Sequence, residues 1–399
     1  MAVIILLMQR FWFIAKVPWI FFMIYGLCII AMIQGRIKVD LYKAKLFLLM
    51  VTLSLVSTLV IWHQQHYADL ASSIYFIAIY ALFTLTPNRQ GVEERNLLHA
   101  WQLLSGFCAI LGIVQFFVYL LFGAVIDIGL ILPSSIGATS GYNIIDTTIG
   151  HHIIRANGVL FLEPSFFSQF MALALIIELV YFRRKVYLII LMLGILCSLS
   201  GTGILMILIT GIASMFLYPK QLLRLPTWIG IGTLVFIALV IARVPSLNTY
   251  FLSRIHHVID FHNYNTSFSQ RFITPWLNIW HIMELNWQNN LFGIGAGWQH
   301  LVNMIPPRHS HSRLFIANYN PLTQLIAYYG LPTMFCFMVF ILQSAVKKHA
   351  SKPNILIMIT ILVQYFFCSG ALLTPNISYV LLWFIFLYAS THHAQDCTR

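Results

Sequence analysis

The sequence predicts an all-α, polytopic integral membrane protein with about 11–12 transmembrane helices and a large external loop. Three observations carry this. The 399 residues are 60% hydrophobic and only 9% charged, too little charge for the surface of a soluble chain of this length. Apolar runs of about 17–25 residues, enough to cross roughly 30 Å of hydrocarbon, recur along most of the chain. The ~10-residue alternating segments of a membrane barrel are absent.

The runs fall at about 17–34, 43–62, 70–86, 98–123, 165–182, 186–201, 203–217, 227–244, 321–343, 353–372 and 376–391. Residues 1–16 are read as a retained membrane segment, a short or tilted twelfth. VIILLM runs on into apolar sequence with Arg10 and Lys16, and no small-residue cleavage site follows it. No internal repeat or long linker divides the chain, so residues 1–399 form one membrane domain.

Orientation follows from basic residues in the short loops. Arg36, Lys38, Lys43 and Lys45 crowd one loop, and Arg89 and Arg95 another. Arg183, Arg184 and Lys185, then Lys220 and Arg224, then Lys347, Lys348 and Lys352 mark three more. Alternating spans put all five on one side, which the positive-inside rule makes cytoplasmic. These loops account for much of the net charge of +12, so nucleic acid is not implied. Six cysteines without a CxxC pair give neither a disulfide framework nor a zinc site.

Two polar segments, about 124–164 and 245–320, lie on the opposite face. They hold Arg155, Arg254, Arg271, Arg308 and Arg313, with Arg243 at the edge, and no lysine. Arginine's planar fork suits bidentate contact with phosphate or carboxylate, whereas lysine is a point charge. Any one of these arginines has a plain alternative in snorkelling or pairing with an acid; six without a lysine favour an anionic ligand. Eleven of the 15 histidines fall on the same face: His63, His66, His151, His152, His256, His257, His262, His281, His300, His309 and His311. Without HExxH or cysteine partners they do not define a metal site, and one of them as general base is the better reading.

Among the few external acids, Glu163 stands apart. Its neighbours are Phe161, Leu162, Pro164, Phe166 and Phe167, and Pro164 is suited to the first position of a helix. The carboxylate therefore sits at the positive end of a membrane helix. It is either a functional group or an N-cap paired with Arg155. Glu178, near Arg183 and Arg184, reads as a cytoplasmic ion pair. From Arg271 to Met283, Phe272, Trp276, Ile279, Trp280 and Met283 recur at helical spacing, which predicts an amphipathic helix lying on the bilayer. GIGAG, 293–297, reads as a turn.

Three blocks, in order, resemble the O-antigen polymerase and O-antigen ligase superfamily of bacterial membrane glycosyltransferases. The first is Arg155, Gly158 and Glu163-Pro164-Ser165. The second is Arg271 on an apolar helix leading to Gly293-Ile294-Gly295. The third is a polar segment ending at Tyr319-Asn320, about ten residues before Gly330 in the next membrane helix.

The resemblance implies about a dozen helices around an external cavity in the bacterial inner membrane, with the active site facing the periplasm. It implies transfer of a glycan from an undecaprenyl-diphosphate carrier to a sugar hydroxyl, with no metal, no cofactor and no nucleotide sugar. Arg155 and Arg271 correspond to a diphosphate-binding pair, with Arg254 or Arg313 assisting. Glu163, or failing that His309 or His311, is the candidate base. Tyr319, Asn320 and Trp276 are candidate contacts to sugar or acceptor, the tryptophan alternatively an interfacial anchor. Ligases of the superfamily carry His-Asn where this chain has Tyr319-Asn320, which favours the polymerase branch. A chain-length regulator is then a possible partner. The competing readings are a ligase acting on lipid A core and a lipid-linked oligosaccharide transporter; the latter calls for repeats and broken helices, neither evident in the sequence.

Overall fold

The computed structural model describes residues 1–8, 10–11, 17–65, 69–88, 94–128, 144–146, 152–218, 267–297, 319–346, 351–368 and 372–390. They are mostly helical. The helices are α1 (Ala2–Leu7), α2 (Trp19–Ile33), α3 (Leu41–Gln65), α4 (Leu70–Ala81), α5 (Glu94–Phe122), α6 (Pro164–Ile177), α7 (Lys185–Cys197) and α8 (Gly201–Leu217). Three shorter helices follow, α9 (Ser267–Phe272), α10 (Thr274–Leu285) and α11 (Trp287–Phe292). The last are α12 (Pro321–Ala345), α13 (Lys352–Val363) and α14 (Pro375–Ser390). Among the described residues, four stretches are long and apolar enough to cross a membrane: Leu41–His63, Glu94–Phe122, Pro164–Phe182 and Pro321–Ala345. Six shorter apolar helices accompany them. Each hydropathy run within the described residues thus appears as a helix; the run 227–244 lies outside them. Of the segment before residue 17, the described residues form α1, with six residues and about 9 Å of rise.

Helix starts follow local chemistry. Asp69 caps α4 by accepting from Ala71 N at 3.0 Å, and Asn320 caps α12 by accepting from Thr323 N at 3.0 Å. Proline occupies the first turn of α6, α10, α12 and α13, where its missing N–H costs no helical bond.

α6 is the central element. It packs on α5, α7, α8 and α13, and all its residues except Phe166 are buried. Its Phe167 fits a cup lined by glycines. A Cβ at Gly112 would stand 2.5 Å from Phe167 Cζ, and one at Gly158 2.7 Å from Cε2. At the helix's far end a π turn, Glu178–Phe182, leads to Arg184, which donates to the fully buried Glu178 from the backbone at 2.7 Å and the guanidinium at 3.0 and 2.8 Å. Those hydrogen bonds push the Arg184 pKa above its usual value. The expected pair is therefore present, with Arg184 as the partner.

Helix ends that flank loops rich in Lys and Arg meet at this same end. Tyr181 donates to Glu94 at the start of α5 and bonds Asn354 at the start of α13, and Lys352 lies over the Tyr218 ring. Nearby, β1 (Ile37–Val39) and β2 (Leu85–Pro87) pair antiparallel, Ile37 opposite Pro87, and join the first two basic loops.

α12 is broken. Gly330, at φ 80° and ψ 177°, interrupts it, and Pro332 follows with no N–H to donate. The break is about 14 Å of helical rise below Asn320. It is filled by protein: the turn after α11 rests there, and a Cβ on Gly330 would stand 2.2 Å from Leu291 O.

The expected amphipathic helix is present, but it starts at Thr274. Residues 267–285 form two helices, α9 and α10, that meet at Ile273 ahead of Pro275. α10 turns Thr274, Asn278, Ile279 and Ile282 inward and leaves Trp276, Leu277 and Trp280 exposed. α11 and its turn then enter the bundle. Ser57 of α3 donates to Phe292 O, Ile294 N donates to Ala327 O at 2.7 Å, and Asp69 N donates to Ala296 O at 3.1 Å as the chain climbs back out.

Candidate functional site

The site is built on the loop between β4 (His152–Ile154) and α6. β4 pairs antiparallel with β3 (Ile144–Asp146). At the head of the loop Arg155 is half-buried, and Ala156 N donates to Cys197 O at 3.0 Å, tying the loop to the end of α7. Gly158 and Val159 both have positive φ, 61° and 63°. For a β-branched valine that conformation is strained and must be enforced by its surroundings.

A buried polar network enforces it. Asn157 is fully buried; its N donates to Gln115 Oε1 at 2.9 Å, and its Oδ1 accepts from Gln115 Nε2 at 2.8 Å and Val159 N at 3.1 Å. Its Nδ2 donates to Phe161 O at 2.7 Å and Asp127 Oδ2 at 3.4 Å. Arg10 completes the set, pairing with Asp127 and donating to Phe161 O at 2.7 Å. Arg10, Gln115 and Asn157 were not singled out as site residues from sequence. The available signal was an arginine embedded in an apolar run and an aspartate just beyond a span.

Glu163 follows this loop at the N-cap of α6, but its side chain does not cap the helix. Oε2 instead accepts from Ser165 Oγ at 2.8 Å and stands 3.8 Å from Nη2 of Arg271, in the last turn of α9. That separation is an ion pair beyond hydrogen-bond reach. The side chains are 32% and 24% exposed, so both charges remain accessible. The structure thus joins the first two sequence blocks through Glu163 and Arg271.

The third block lies against the second. Tyr319 OH accepts from Asn278 Nδ2 at 2.6 Å, so α10 presents Arg271's neighbour helix to the start of α12. Burial pushes the Tyr319 pKa well up, against the pull of the Asn278 hydrogen bond, and the phenol stays protonated at neutral pH. Asn320 is buried and its Oδ1 is committed to Thr323, so the helix cap accounts for this asparagine. Trp276 is exposed on the opposite face of α10 from Asn278, which fits an interfacial anchor better than a sugar contact. Gly293 and Gly330 lock the two blocks together: a Cβ on Gly293 would stand 2.6 Å from Ala327 O.

Arg254, His309, His311 and Arg313 lie outside the described residues. Among the described residues no group of three or more His, Cys, Asp or Glu could hold a metal. Among the described residues, the site brings the partly exposed Glu163 carboxylate to the partly exposed Arg271 guanidinium, with buried hydrogen-bonding groups behind them. No known family model matches the chain, and no curated protein matches it.

Proposed function

We propose that this chain is an inverting membrane glycosyltransferase that polymerises undecaprenyl-diphosphate-linked repeat units on the external face of the bacterial inner membrane. The observation that supports the reading best is the Glu163–Arg271 pair, which unites a carboxylate and a guanidinium drawn from two distant blocks. In the proposed step the acceptor hydroxyl attacks the anomeric carbon of the donor sugar. The bond from that carbon to the diphosphate oxygen breaks, the diphosphate leaves with the electron pair, and Glu163 takes the hydroxyl proton. Arg271 and Arg155 stabilise charge growing on the leaving diphosphate. A diphosphate accepting two parallel N–H bonds from Arg271 competes with the single long contact to Glu163 and frees the carboxylate to act as base. The test is complementation of a deletion strain. Arg271→Lys and Glu163→Gln should each abolish long-chain polysaccharide at unchanged protein level, and normal ladders from both would sink the assignment.

One observation favours a second reading, a lipid-linked oligosaccharide transporter. Broken helices at mid-membrane are a transporter feature, and α12 is broken at Gly330. Against it, the break is packed by the backbone at Leu291 and Phe292.

A further inference from the structure

Arg10 and Asp127 form an ion pair whose side chains are each 1% exposed. Burying two charges is costly, and apolar residues of similar volume often fill such a place with no loss of stability. What the pair does that apolar residues cannot is hold a backbone. Arg10 Nε donates to Phe161 O at 2.7 Å while Nη1 and Nη2 bond the two oxygens of Asp127, the latter at 3.3 Å. Asn157 donates to the same carbonyl and to the same carboxylate, and Gln115 of α5 fixes Asn157 on its other side. The Phe161 ring rests on Phe167 and Phe170 of α6. Glu163 is two residues further on. The last fixed point before the carboxylate is therefore a carbonyl held by two donors, one of them Arg10.

We propose that the Arg10–Asp127 pair is a positioning device. It fixes the loop carrying Arg155 and Glu163, and with it the distance from Glu163 to Arg271. Its value for catalysis rests on the function proposed above; its effect on geometry does not. Arg10 and Asp127 act through Phe161 and Asn157, as positioning residues.

The test reads geometry and turnover separately. In a chain whose six native cysteines are replaced, the E163C/R271C pair is treated in membranes with a short bifunctional methanethiosulfonate, and cross-linked product is measured. Adding Arg10→Met together with Asp127→Leu removes both buried charges, so the fold is retained while the clamp is lost. Cross-linking should fall several-fold at unchanged protein level and thermal stability. With native Glu163 and Arg271, the same double change should lower kcat by on the order of a hundredfold with little change in KM. Arg10→Lys keeps the charge but cannot hold Asp127 and Phe161 O together, and should show an intermediate fall in both readouts. It carries the test alone if the double variant does not accumulate. Cross-linking unchanged in every variant that accumulates would overturn the proposal. A fall in cross-linking in a chain whose parent shows no transferase activity would leave the clamp standing and remove the glycosyltransferase reading instead.

Discussion

Oε2 of Glu163 lies 3.8 Å from Nη2 of Arg271, although one residue opens α6 and the other closes α9. Exposed on both sides, such a contact contributes only about 0–1 kcal/mol of stability, so structure alone gives little reason to keep it. Exchanging the two charges should separate the roles. The E163R/R271E double variant should keep thermal stability within about 1 kcal/mol of the parent, because the pair re-forms. Activity should stay down by on the order of a hundredfold or more, since the acid and the anion-binding group have changed places. Restored polysaccharide synthesis in the swap would make the pair a structural contact.

The contact between Gly330 and the turn after α11 leaves no room for a methyl group. Gly330→Ala places a Cβ against Leu291 O at a backbone φ that alanine rarely adopts, and should cost about 2–4 kcal/mol. Gly293→Ala should cost a similar amount against Ala327 O. Gly26→Ala, with open space around it, should change stability by less than about 1 kcal/mol. Thermal unfolding in detergent reads all three, and equal Tm values across the set would contradict the interlocked turn.

Glu178 is held by three donors of Arg184 and has no exposed surface. Because Arg184 is 30% exposed, the loss on Glu178→Ala is set mainly by the orphaned backbone N–H and the unpaired arginine, about 2–3 kcal/mol. Polysaccharide length should not change where the protein accumulates. A shortened ladder at normal protein level would tie this end of α6 to the chemistry.

Sidedness is open to direct measurement. A membrane-impermeant maleimide should label E284C in intact cells and label K38C only after the cytoplasm is opened. The reverse pattern would invert the arrangement drawn from the basic loops.

The helices were legible because the bilayer demands long apolar runs. The acid of the site was legible as well, since Glu-Pro at a helix start within apolar sequence is unusual chemistry. Which face of α10 turns inward was not. In a membrane both the lipid-facing and the core-facing side of a helix are apolar, so Trp276 and Trp280 satisfied the helical period while pointing outward. The break in α12 was hidden too: glycine and proline also occur in unbroken membrane helices, and the backbone that fills the break at Gly330, at Leu291 and Phe292, is far away in sequence. Arg10 escaped for the same reason. Its meaning depends on Asp127 and Phe161, which only the folded chain brings to it.

The central claim is that this chain elongates lipid-linked glycan. The measurement that tests it most directly is incubation of the purified protein in liposomes with an undecaprenyl-diphosphate-linked repeat unit, with products separated by length. The account expects a ladder of longer lipid-linked chains, lost in Arg271→Lys. Movement of the repeat unit across the bilayer with no product beyond a single unit would contradict it.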